Sequence, residues 1–152
     1  MRTFIKTIAT GLLVLFAATA AYAADKGTAT EAMAMVKKGV EFLKANGQEK
    51  AFAEFNDPNG KFIKGDLYVM VYDMHGLNKA HGGNPKLIGK NLLEIKDANG
   101  VYIVKSFIEV AKDKGKGWVD YMWPNTVTKA VEQKSTYVEK VDDLLIGVGI
   151  YK

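Results

Sequence analysis

The sequence predicts an α+β fold, a long N-terminal helix packed behind a five-stranded antiparallel sheet. Three observations predict it. Apolar residues recur at helical spacing early in the chain, at Ala32, Met35, Val36, Val40 and Leu43. Strand-forming runs rich in Tyr, Val and Met follow, as in Leu67-Tyr68-Val69-Met70-Val71-Tyr72. Short turns join the later runs, which pairs neighbouring strands antiparallel.

The chain opens with a basic start, Arg2 and Lys6, and an apolar run over residues 8–21. Ala21-Tyr22-Ala23 then places small side chains where a signal peptidase reads them. The expectation is an export signal over residues 1–23, cleaved after Ala23. The apolar run is short of the roughly 20 residues a spanning helix needs. Residues 24–29 are small and polar and are expected to form a flexible start; one domain over residues 30–152 follows. The first helix is expected over residues 30–46, with Thr30 as its N-cap and Asn46-Gly47 as its stop. Its apolar residues spread wider than one stripe, and a homodimer through this helix would explain the excess. Gly39 inside it suggests close packing.

A second helix is expected over residues 48–55, ended by the turn residues Asn56-Asp57-Pro58-Asn59-Gly60. Residues 66–73 read as a strand apolar on both faces, hence central. Asp73-Met74-His75-Gly76 turns the chain into a second strand near residues 77–81. After the loop Gly82-Gly83-Asn84-Pro85 and a short helical piece, residues 103–114 carry helical spacing stopped by Gly115. Three strands close the chain, near 117–123, 131–141 and 144–151, the last two joined by Asp142-Asp143.

Composition excludes several classes. Of 21 Lys+Arg and 17 Asp+Glu, the leader holds only Arg2 and Lys6, so the remainder carries a charge of about +2, with no basic stripe for nucleic acid. There is no cysteine, so disulfides, thiolate metal sites and thiol catalysis are excluded. Ser106 and Ser135 lack a nucleophile context, and no phosphate-binding glycine loop joins a strand to a helix. No enzyme and no cofactor is expected.

Several ordered motifs carry a resemblance. The first block is Gly65-Asp66-Leu67-Tyr68-Val69-x-Val71-Tyr72-Asp73-x-x-Gly76, with Ala80-His81-Gly82-x-Asn84-Pro85 and Gly89-Lys90-Asn91-Leu92. The second is Gly117-Trp118-Val119-x-Tyr121-x-Trp123-Pro124-Asn125. Lys134-Ser135-x-Tyr137-Val138 and Gly147-Val148-Gly149-Ile150-Tyr151 complete the set. Together they resemble the single Cache domain family, second type, over roughly residues 30–152. The resemblance implies a PAS-like extracytoplasmic sensor, periplasmic or secreted, similar to receptors for acetate, propionate or pyruvate. It also implies a membrane receptor or sensor kinase as partner, because the sequence shows no signalling output of its own.

A buried carboxylate ligand needs a charge partner, hydrogen-bond donors and an apolar wall. Lys134 is the candidate for the charge, although among Glu132, Glu139 and Lys140 it reads on composition as a solvated lysine. Tyr121 and Trp123 share one face of their strand, as Tyr68 and Tyr72 share one face of theirs. Tyr137 has the opposite parity to Lys134 and reaches the same pocket only across a bulge. His81 could donate to the carboxylate. Two alternatives stand beside this reading: an interaction module without a small ligand, and a metal-binding protein using His75, His81, Met74 or Met33 and Met35.

Overall fold

The computed structural model describes residues 26–152, so the expected export signal lies outside the described residues. The first element is α1 (Ala29–Asn46), one residue longer at its start than expected. Its cap is Thr28 rather than Thr30. Glu31 stands three residues on, and the pair closes a reciprocal capping box that Thr30 cannot make. The stretch expected to be loose is fastened from Lys26 onward. Lys26 Nζ donates to Glu132 and to the Lys152 carbonyl, and the Gly27 amide donates to Asp66 at 2.8 Å.

α2 (Gln48–Asn56) follows directly, and its Phe55 meets Phe42 of α1 and Phe62 beyond the turn. The strands are β1 (Ile63–Lys64), β2 (Leu67–Asp73) and β3 (Asn78–His81). A single 3-10 turn at Pro85–Leu87 and a long loop lead to α3 (Ile103–Lys114). The last three strands are β4 (Lys116–Pro124), β5 (Val131–Val141) and β6 (Leu144–Tyr151).

Strand order is β1-β2-β6-β5-β4, with β3 also on β2, and every pairing is antiparallel. The five expected strands are present, and two-residue β1 is an addition at the edge of β2. β2 is central as expected: six of its seven residues are buried. One face, with Leu67, Val69, Val71, Ile146 and Val148, packs on α1 and α2. The other, with Tyr68, Met70, Tyr72, Tyr121 and Leu145, packs on α3 and the loop before it. No helix among the described residues is long and apolar enough to cross a membrane.

Candidate functional site

Register and parity place the site on the α3 face. Lys134 lies opposite Tyr121 on β4 and opposite Tyr151 on β6, so one row of the sheet reads Tyr121, Lys134, Tyr151. The Lys134 side chain is wholly buried. It runs across Gly149, where an added methyl would overlap its Cε. Its Nζ donates to Tyr68 Oη at 2.7 Å and to Tyr151 Oη at 3.2 Å. It also sits over both rings, 4.0 and 4.5 Å from their centroids. Tyr151 gives its own proton to the Pro124 carbonyl at 2.9 Å, leaving its oxygen free to accept from the amine.

Among the described residues this ammonium has no close counter-anion. The ion pairs among the described residues are all elsewhere and at least partly exposed. Asp66 acts on Lys134 only at longer range. One of its oxygens holds the Gly27 amide, and the other is buried without a hydrogen-bond partner among the described residues. Burial therefore pushes the Lys134 amine down to about 7, against the opposing charge of Asp66.

His81 is fixed at the edge of the site. Asn56 Oδ1 accepts from its backbone amide at 2.8 Å, and its Nδ1 accepts from the Asn84 amide at 2.9 Å. The ring proton is thereby assigned to Nε2. Burial, then the charge of Lys134, push the imidazole down to about 3, so it is neutral at working pH. Its ring packs on Tyr68 at 5.1 Å, and a methyl at Gly83 would overlap the Tyr68 ring. Tyr121 Oη and Thr136 Oγ1 are 2.8 Å apart, and burial holds the Tyr121 phenol well above its ordinary range.

Tyr72, His81, Tyr121 and Trp123 line one small cavity with Met70 and Phe107. Its volume is about 10 Å³, room for roughly one water. Tyr68 and Trp123 also face an outer depression of about 230 Å³ bordered by Gly83, Asn84 and Asn125. Six of the seven expected side chains converge: four line the cavity, Tyr68 faces the outer depression, and Lys134, which lines neither space, joins them through Tyr68 and beside Tyr121. Tyr137 does not: no bulge interrupts β5, so it stays on the opposite face and packs against Trp118 at 5.4 Å. Tyr151, Thr136 and Asp66 were not anticipated. Tyr151 had a signal, since counting back from the Asp142-Asp143 turn pairs position 134 with 151.

Comparison with known proteins supplies relatives. The family model described as Single Cache domain 2 matches residues 8–152. Over 88 residues, 57% of this chain, it is 28% identical to the methyl-accepting chemotaxis protein McpP of Pseudomonas putida. Over a stretch of the same length it is 31% identical to the sensor histidine kinase MctS of Rhizobium johnstonii. The matched stretch spans only 16% and 19% of those two proteins. A solved methyl-accepting chemotaxis protein from Vibrio parahaemolyticus superposes with TM-score 0.72 at 27% identity, covering 80% of this chain and 86% of that one. A Cache chemosensory domain solved to explain its carboxylic acid recognition gives TM-score 0.68 at 25% identity, with 80% and 91% covered. With the family match running through every element described above, the chain belongs to the Single Cache domain 2 family of extracytoplasmic sensor domains.

Proposed function

We propose that the protein binds a short organic acid outside the cytoplasm, with Lys134 as the anchor for the carboxylate. One observation carries this reading: a wholly buried lysine held by two phenol oxygens and, among the described residues, by no carboxylate. An ion in a low-dielectric interior is costly without a partner, so such a site favours an incoming anion. The Tyr68 hydroxyl and the His81 Nε2–H offer donors, the Tyr151 proton being held by the Pro124 carbonyl. Tyr72, Tyr121, Trp123 and Phe107 form the wall for a carbon end. The solved Cache relative with carboxylic acid recognition supports the ligand class. The protein is proposed to be exported, to act without catalysis, and to report to a membrane receptor or sensor kinase.

The enclosed space holds about one water, so even a two-carbon acid enters only if the walls move. That small volume favours a second reading, a ligand-free interaction module on the same partner. Thermal melting with acetate, propionate and pyruvate separates the two. A ligand at a hundredfold excess over its Kd stabilises the native state by about 2.7 kcal/mol. The expected result is a rise with at least one acid that disappears in Lys134→Met. A flat response to all three, in folded protein free of co-purified ligand, leaves the interaction module standing.

A further inference from the structure

We infer that acid binding at Lys134 is coupled to proton uptake, so that the site takes an anion and a proton together and reads extracellular pH as well as ligand. The inference rests on the proposed carboxylate site and adds its regulation. The geometry carries it. The Lys134 amine is fully buried, and both of its hydrogen-bond acceptors are neutral phenol oxygens. A neutral amine also satisfies such a pair: Tyr68 can donate to its lone pair while an amine N–H still donates to the Tyr151 oxygen, whose own proton stays on the Pro124 carbonyl.

The groups around Lys134 leave it the one that changes charge near neutral pH. From β2 come Tyr68 and, just before the strand, Asp66, whose free oxygen lies beyond ion-pair range of the amine. From β6 comes Tyr151, from β4 Tyr121, and from β3 His81. Burial holds all three phenols protonated far above neutrality and holds the imidazole neutral. The residues α3 buries against this face, Ile103, Val104, Phe107, Ile108 and Ala111, carry no ionisable group. Burial likewise lowers the amine itself toward neutrality.

The balance is simple. In the empty site Lys134 is largely a neutral amine above neutral pH. An arriving carboxylate anion supplies the missing counter-charge, the amine takes one proton from solvent, and an ammonium–carboxylate pair results. Affinity is then level below the free amine's titration point and falls about tenfold per pH unit above it. At high proton concentration the limit is set by protonation of the acid itself.

Two measurements on the purified protein test this. Carbon-13 NMR of the lysine Cε follows Lys134, assigned through its backbone resonances, as the ligand-free protein is titrated. The expected midpoint is near neutrality, far below the ordinary lysine value of about 10.4. Calorimetry of acetate binding at pH 8 in phosphate and in Tris reads the proton. The enthalpy should differ between buffers by the uptake of close to one proton, and the difference should vanish at pH 6. A Lys134 midpoint above pH 9, or a buffer-independent enthalpy at pH 8, overturns the inference. Absence of acetate binding at either pH, with Lys134 titrating near neutrality, overturns the ligand reading and the coupling with it, and retains only the neutral amine. Tyr68→Phe, which removes one hydrogen-bond partner from the amine, should shift the midpoint lower still; an unchanged midpoint counts against the phenol's part.

Discussion

A methyl group at position 149 would occupy the space through which Lys134 reaches Tyr68. Gly149→Ala should therefore cost about 1–3 kcal/mol by overpacking. In a Lys134→Ala background the part of that cost owed to Lys134 should disappear and the part owed to Thr136 Oγ1 should remain, which a double-mutant cycle from denaturant melts can read. Lys134 also sets a pH dependence of stability. Its folded value is depressed to about 7, whereas the unfolded chain titrates near the ordinary 10.5. Between those values the unfolded state holds more protons, so stability rises with pH, by at most about 1.4 kcal/mol per unit. The wild-type protein should gain stability relative to Lys134→Met from pH 7 to pH 9, and parallel curves would refute the burial of a titrating amine. At this scale strand parity made most of the site legible in the sequence. It put Tyr121 with Trp123, and it warned that Tyr137 would need a bulge. Asp66 was hidden because its environment is built by Gly27, a residue 39 positions away.

Asp97 is the hinge pin of the loop over the cavity. Its carboxylate accepts from the amides of Asn99 and Val101 within its own turn and from Met122 on β4 at 2.8 Å. Leu92 and Ile95, just before it, form part of the cavity wall. Asp97→Ala should release this loop, and amide exchange at Val101 and Met122 should quicken well before the core opens. Exchange unchanged at Met122 would show that the sheet edge holds the loop by other means. On α1, Gly39 faces Ile146 and Phe55, but an added methyl would sit at 3.6–3.7 Å, an ordinary contact. Gly39→Ala should therefore stabilise the protein by roughly 0.5–1 kcal/mol through helix propensity, measured as a higher denaturation midpoint. The close packing expected from this glycine is thus not required by the neighbours it has here. Elements were legible wherever periodicity ran long: α3, β5 and β6 fall where their patterns put them. The start of α1 was legible too, though its signal was passed over: Thr28 has Glu31 three residues on, the spacing of a capping box, whereas Thr30 has Met33 there.

For the molecule as a whole, the sheet separates two apolar layers with different work. The α1 layer is mainly hydrocarbon and aromatic packing. The α3 layer accommodates a lysine, a histidine and four buried phenols in its neighbourhood. Fold class and the five main strands followed from turn chemistry and alternation. Sheet order did not, because β2 pairs with β6 across more than seventy residues, and no local pattern announces a partner that distant. The fastening of Lys26 to Glu132 and to the carbonyl of Lys152 brings the two ends of the described chain side by side. In topological terms the domain is then nearly a ring, and the point at which the ring is cut is arbitrary. A circular permutant that joins residues 26 and 152 by a short glycine linker and opens in the exposed turn at Asp57-Pro58-Asn59 should keep the same circular dichroism spectrum and the same Lys134 titration.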